Sequence, residues 1–406
     1  MDKRHAWGCL AALLVLTTGC GDDDSTPDGS DVADAPDEGL LPDGTDADVV
    51  PPDDVAEVDG SELCGNGRVD PGEDCERDDS RDCTTSCGTT GVESCVACRW
   101  SGDCATLPET CNGADDDCDT TTDEGAWCPV EGISTTANLK AVWGATADDA
   151  WIVGQSGTLL HWTGTAWIGV TGVTTANLEA IFGFAADDVW AVGAGGTALH
   201  YDGTSWTTSS VGGTDALYGV WGASTGAVWA VGEAVFFWNG GGWSRVPSGT
   251  TQVLAAAFGF AADDVWAVGW AGTVLHWDRH AWDTLPSGTT AALTAVWGST
   301  AGGDVWAVGS ESGRTGTAIR WNGTAWSANS PTPTTFLNDV WGFSATDVLA
   351  VGSDETVSQA VVAGWDGSAW TVVHVPEARA LYGVWGASAA DVWAVGGAGT
   401  VLRLRL

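Results

Sequence analysis

One phrase recurs seven times between Leu139 and Leu406: a leucine leading into A-V-W-G, then D-V-W-A-V-G, then G-T-x-L-H-W, then x-x-A-W. The glycines that close the first phrase are Gly144, Gly183, Gly222, Gly259, Gly298, Gly342 and Gly386, so the period runs from 37 to 44 residues. Four strand-like phrases per unit at such a period specify a β-propeller, one four-stranded blade per repeat. The expected fold is therefore all-β: a seven-bladed β-propeller over 129–406, preceded by a small disulfide-rich module and a disordered acidic tether.

Turn chemistry places the strands. Val189-Trp190-Ala191-Val192-Gly193 is a β-branched and aromatic run ended by glycine, and Thr197-Ala198-Leu199-His200-Tyr201 comes next. Asp202-Gly203 then leads to Thr204-Ser205-Trp206. An Asp-Gly or Asn-Gly pair between two such runs is the strongest short-range hairpin signal. It recurs as Asn239-Gly240, Asn322-Gly323 and Asp366-Gly367, with Thr163-Gly164 and Asp278-Arg279 in the same place.

The chain holds 26 tryptophans, and their register argues for packing rather than a ligand cage. Trp143, Phe182, Trp221, Phe258, Trp297, Trp341 and Trp385 share one first-strand position. Trp151, Trp190, Trp229, Trp266, Trp306 and Trp393 share one second-strand position, with Leu349 in the sixth repeat. A buried aromatic removes about 150–250 Å² from water, up to about 4–6 kcal/mol each. A lone blade loses far more than that in chain entropy, so the blades must stack. The aspartates before the second strand (Asp149, Asp188, Asp264, Asp304, Asp347, Asp391) are expected to close tight turns through their own backbone. His161, His200 and His276 share one third-strand position, which points to packing or a repeated hydrogen bond rather than ligation.

The last repeat ends at Leu406 after its third strand. Ala126-Trp127-Cys128-Pro129 aligns without a gap onto Ala166-Trp167-Ile168-Gly169, so residues 126–132 are expected to supply the fourth strand and remove both sheet edges at once.

Ahead of the repeats, residues 1–20 read as an export signal, with Lys3 and Arg4 before the apolar run Leu10–Leu16. Thr17-Thr18-Gly19-Cys20 resembles a bacterial lipobox, with Thr17 where leucine is usual; that resemblance implies lipidation of Cys20, membrane attachment through the lipid, and an outer-membrane lipoprotein facing the cell surface or the periplasm. Residues 21–62 carry sixteen Asp or Glu and no Lys or Arg, too little apolar surface to offset chain entropy. As a flexible coil this tether spans roughly 35–40 Å. A formal charge of −41 excludes nucleic acid as a natural partner, since phosphate binding needs Lys and Arg patches.

Ten cysteines lie between Cys64 and Cys128, an even number that in an exported chain reads as up to five disulfides. Cys64-Gly65-Asn66-Gly67 through Gly72-Glu73-Asp74-Cys75 resembles the Myxococcus cysteine-rich repeat, although Glu76-Arg77-Asp78-Asp79 departs from its continuation. Glu109 to Gly125 resembles a MopE-type metal-binding motif, which makes residues 63–128 a cysteine-rich module with an acidic loop. Asp115, Asp117, Asp119 and Asp123 stand at positions 1, 3, 5 and 9 of a calcium-loop pattern, with the Thr121 carbonyl and Glu124 as further oxygen donors. Thr120 replaces the turn glycine and Ala126 the bidentate acid, so any Ca²⁺ site here is weak; a solvated loop braced by Cys111 and Cys118 is the alternative.

Over about two thirds of the chain the repeats resemble bacterial propellers of the BNR and sialidase-like kind. Asp202-Gly203-Thr204-Ser205-Trp206 sets the Asp one residue closer to the Trp than an Asp-box does. With only seven arginines in residues 129–406 and three tyrosines, all at repeat positions, a catalytic sialidase is not expected. Irregular loops carry the functional signal. Trp270 is the propeller tryptophan out of register; Glu311 and Arg314 lie in the fifth repeat's longer loop, and Asp354 and Glu355 in the sixth's. His374, Glu377 and Arg379 are read as part of the next connection. By propeller geometry these loops share one face, suited to a glycan or a protein ligand. The leading reading is thus a non-catalytic binding or scaffold protein. A glycosidase or lyase using two of Glu233, Glu311, Asp354, Glu355 and Glu377 is the second, and a periplasmic assembly scaffold the third.

Overall fold

Each repeat forms four antiparallel strands in sequence order, as alternation and turn residues require. A computed structural model describes Val69, Cys75, Cys111, Asp115, Cys118 and residues 79–86, 88–96, 99–106, 125–299, 303–311, 315–331, 335–376 and 378–406. The leader with Cys20, the acidic tether, Asp117, Asp119, Thr121, Asp123, Glu124, Arg314 and Glu377 lie outside the described residues. The chain divides into two units, Met1–Leu107 and Pro108–Leu406. Among the described residues the architecture is all-β: one three-stranded sheet and seven four-stranded sheets.

The first unit holds the three-stranded sheet, Ser80–Thr84, Thr90–Val96 and Arg99–Trp100. So small a sheet cannot bury a sufficient core. It is stapled by Cys75–Cys95 and Cys83–Cys104. Glu93, buried, accepts from Arg81 Nε at 2.8 Å and from the Gly102 amide at 2.7 Å.

The second unit is a propeller. In the second repeat the strands are Leu178–Ala185, Asp188–Gly193, Thr197–Tyr201 and Trp206–Thr208. The first strands of successive sheets touch in order, and that of the last repeat, Leu381–Ser388, touches that of the first, Leu139–Thr146, closing a ring around a central channel. Trp127–Pro129 pairs with Val401–Arg405 as the outer strand of the last sheet, with Trp127 opposite Leu404. Trp167 stands opposite Trp162 in the same way, as the gapless alignment requires. Cys128 serves both roles that the sequence assigns it: its backbone sits in that strand and its sulfur bonds Cys111. Cys111 therefore reaches past Cys118, which is itself disulfide-bonded.

Two layers of aromatics join the sheets. The first-strand aromatics form a collar around the channel, with neighbouring ring centroids 6.2–6.5 Å apart from Trp143 through Trp297. Rings of the neighbouring sheet explain the repeated glycine. A Cβ on Gly183 would lie 2.5 Å from the Trp143 ring, and one on Gly144 equally close to Trp385; Gly259 and Gly342 meet Trp221 and Trp297 in the same way, while Gly222, Gly298 and Gly386 meet Phe184, Phe260 and Phe343, two residues beyond the collar position. Further out, each second-strand tryptophan meets the fourth-strand tryptophan of the following sheet edge-on. Trp190–Trp243 lie 5.4 Å apart at 89° and Trp306–Trp370 5.3 Å apart at 85°. Offset and edge-to-face contacts are the favoured geometry for such rings.

The repeated aspartates do something other than close turns. Asp149, Asp188 and Asp264 accept from His161, His200 and His276 at 3.2, 2.8 and 2.8 Å. Asp304 and Asp391 take Arg320 and Arg403 through two bonds each, of 2.6–3.3 Å. The reason is the sheet itself: the His or Arg stands on the third strand directly opposite the second strand's tryptophan, and the aspartate two residues before that tryptophan lies diagonal to it, within side-chain reach. The imidazole also stacks on that sheet's tryptophan, His200 on Trp190 at 4.2 Å. In the third repeat Ala227 and Phe237 replace the polar pair together. These histidines are thus satisfied within their own sheets, as the shared register indicates.

Candidate functional site

Where the second strand ends, its turn amide bonds the residue just before the first strand. The Ala194 amide donates to Asn177 O at 2.9 Å and the Trp270 amide to Val253 O at 3.0 Å. The loops after the second strand and those before the first therefore share one face. There the channel opens, and the residue after each repeated leucine stands at its mouth: Lys140, Glu179, Tyr218, Ala255, Thr294, Asn338 and Tyr382. Flanking positions keep Leu before and, in six of the seven repeats, Ala or Gly after, but this position changes chemistry in almost every repeat. Trp270, 54 % exposed, lines the same opening. The channel cavity behind it has a volume of about 220 Å³.

Lys140 Nζ lies 3.5 Å from Glu179 and 5.1 Å from the centre of the Tyr382 ring, held by an ion pair and by the ring's negative face. Burial, then the charges of Glu233 and Glu179, push the Tyr218 hydroxyl up, so it stays a neutral donor. Glu233 accepts from the Ala216 amide at 2.9 Å. Opposite, the side chains reach backbone of the next sheet: Thr294 Oγ1 donates to Leu337 O at 3.0 Å and Asn338 Nδ2 to Leu381 O at 2.7 Å.

Asp339 is the exception in the wall. Six repeats have Ala141, Ala180, Gly219, Ala256, Ala295 and Gly383 at its position. Its carboxylate accepts from the Val340 and Val384 amides, both at 2.9 Å. The residue keeps some surface, open to the channel, yet protein surrounds it, and desolvation pushes it up from 3.8 to about 7 despite those two donors.

The residues singled out in the loops do not form one cluster. Trp270 joins the channel mouth. Glu311 lines a separate surface groove and accepts from the Thr289 hydroxyl at 3.3 Å. Asp354, buried, accepts from the Thr356 amide and from His374 at 3.1 Å, and is held below the usual range by the Thr356 hydroxyl and His374 against its own desolvation. His374 lies not in a connection but in the fourth strand, Trp370–Val375, because the sixth repeat's longer hairpin extends its strands. Glu355 and Arg379 are exposed. Glu233, Glu311 and Asp354 thus belong to three different repeats, each with its own local partner. Tyr218 and Tyr382 share one repeat position, the residue after the repeated leucine, and that position lies at the mouth. Among the described residues no group of three His, Cys, Asp or Glu is placed to hold a metal.

No family model matches the chain, and no curated protein matches it. Solved propellers do. A structure described as YCF48 bound to D1 peptide superposes with a TM-score of 0.54 at 18 % identity, covering 69 % of this chain and 97 % of its own. YCF48 from Cyanidioschyzon merolae gives 0.54 at 17 %, covering 69 % and 99 %. The WD40 repeats of RRP9 give 0.56 at 12 %, covering 69 % and 97 %. At such identities the likeness is one of fold: this chain carries a β-propeller.

Proposed function

We propose that this chain is an exported, lipid-anchored binding protein: Cys20 carries the lipid, the acidic tether and cysteine-rich module space the folded part from an outer membrane, and a seven-bladed propeller presents its channel mouth to a protein ligand at the cell surface. One observation carries this reading. The seven first strands deliver one side chain each, of six different kinds, to a single opening, beside an exposed tryptophan, on an otherwise repetitive framework. A fold neighbour solved with a peptide supports a protein over a glycan as ligand. The function is non-catalytic; Glu233, Glu311 and Asp354 are each engaged by local donors in separate repeats.

Photo-cross-linking in intact cells tests the docking face. Trp270→p-benzoylphenylalanine is expected to give one discrete protein adduct, and the same replacement at Asn322, in an exposed hairpin turn at the other end of the strands, none. Equal adducts at both positions, or none at either, would overturn the docking face. Cys20→Ser is expected to move the protein from membranes to the soluble fraction; a variant that still pellets as the wild type does rules out the lipid anchor.

A further inference from the structure

We propose that the channel takes a lysine or arginine side chain of the docked protein, with Asp339 as its counter-ion and Tyr218, Tyr382 and Trp270 as the aromatic surfaces it passes. This rests on the docking reading above and names the ligand chemistry of that same opening. The mouth already holds one ammonium, that of Lys140, between Glu179 and the face of Tyr382. Asp339 has no such partner: its bonds are two backbone amides, and among the described residues no cation compensates it. A carboxylate in a desolvated wall is costly unless paired, and an incoming cation supplies the pair. The cavity beside it, about 220 Å³, has room for one side chain where several waters of about 30 Å³ would otherwise sit. Cations also gain over aromatic faces, more so when desolvated. At longer range, residues 129–406 carry 22 Asp or Glu against 8 Lys or Arg, a net −14 that draws basic ligands toward the face.

The charged and titratable groups that face Asp339 around the opening are Lys140, Glu179, Tyr218 and Tyr382, with Glu233 acting through Tyr218. A cation binds the ionised form of Asp339, so affinity rises with pH. With the carboxyl at about 7, the ionised fraction falls roughly twentyfold between pH 7.5 and 5.5. Asp339→Asn keeps the acceptor for Val384 and removes the charge, which separates this group from the other carboxylates.

Fluorescence anisotropy with the full chain and a dye-labelled Gly-Arg-Gly-Lys-Gly peptide provides the test, with Gly-Gln-Gly-Gln-Gly as control. The basic peptide is expected to bind, to weaken about tenfold or more at pH 5.5, and to lose at least tenfold in Asp339→Asn while Glu311→Gln, on the same face, changes nothing. The melting temperature of Asp339→Asn at pH 7.5 should not fall, which separates lost binding from lost folding. Binding that survives in Asp339→Asn, or equal binding of the glutamine peptide, overturns the cation site. If the Trp270 cross-link persists in that case, the docking face stands and only the ligand chemistry is wrong; if it is absent too, both fall.

Discussion

Asp339→Asn should make this protein more stable at pH 8 and no more stable at pH 4. The carboxyl is raised in the folded state, from 3.8 to about 7. Its stabilising contribution is therefore complete below about pH 4, where both folded and unfolded chains hold the proton, and is lost as pH rises through 7. At 1.36 kcal/mol per unit the shift sets a ceiling of about 4 kcal/mol. The group keeps some access to the channel, which discounts that to about 1–3 kcal/mol. Asparagine does not titrate and still accepts from the Val384 amide, so the difference between variant and wild type isolates this one proton; the other carboxylates titrate in both and cancel. For a unit of this size about 1–3 kcal/mol is roughly 2–6 °C in melting temperature. Scanning calorimetry at half-unit steps from about pH 3 to 8.5 should show two curves that meet at the acid end, diverge between about pH 4 and 7, and run parallel above. Parallel curves with a constant offset would refute the argument, because they would mean that Asp339 ionises as easily folded as unfolded.

Gly183→Ala puts a methyl 2.5–2.8 Å from three atoms of the Trp143 ring, itself buried, and should cost about 1–3 kcal/mol by overpacking. Gly242→Ala, with nothing within 4 Å, is the matched control; equal urea midpoints for both would contradict the collar. Trp127→Ala should remove about 3–5 kcal/mol from the main propeller transition, since Trp127 is buried on the strand that completes the last sheet. Loss of only a small separate transition would mean that this strand does not close the ring. Calcium titrated into the full chain should give heat at about 10⁻⁴–10⁻³ M that Asp117→Asn abolishes; no heat at millimolar calcium leaves the acidic loop a solvated spacer.

The framework was legible because a propeller repeats its physics. A position that buries the same ring in every sheet must show the same residue at the same spacing, so Trp151 and its counterparts announced packing, and the shared register of His161, His200 and His276 announced a common partner. The identity of that partner was not legible. Asp188 and His200 are twelve residues apart and adjacent only once two strands pair. Reading those aspartates as turn closers weighed the local alternative and missed the cross-strand one. The channel mouth was missed for a different reason. Attention to loop insertions picked out Trp270, Glu311 and Asp354, yet the strongest irregularity sits inside a strand: Lys140, Glu179, Tyr218, Ala255, Thr294, Asn338 and Tyr382 vary where their neighbours do not. A repeat aligned column by column shows this, and it shows Asp339 replacing Ala or Gly. Why that column is free to vary needs the structure: its side chains enter the channel, where no neighbouring sheet constrains their volume.

The mouth is also asymmetric, and that bears on how it would engage a ligand. The inner edge of a first strand presents unpaired amides and carbonyls to the channel, as any edge strand does. In the sector of the fifth to seventh sheets these are taken up by Thr294, Asn338 and Asp339, bonded to Leu337 O, Leu381 O and the Val384 amide of the following sheet. Short side chains locked to backbone form a rigid wall. In the sector of the first two sheets the contact runs from side chain to side chain, between Lys140 and Glu179. The Lys140–Glu179 pair, at 3.5 Å with both side chains partly exposed, contributes at most about 1 kcal/mol. A ligand group can displace Lys140 from Glu179 at little cost, whereas displacing Asn338 or Asp339 leaves backbone groups unpaired. On the proposed docking, the fixed wall would set where a ligand side chain sits, and the exchangeable ion pair across from it would adjust to the neighbouring residues of the docked segment.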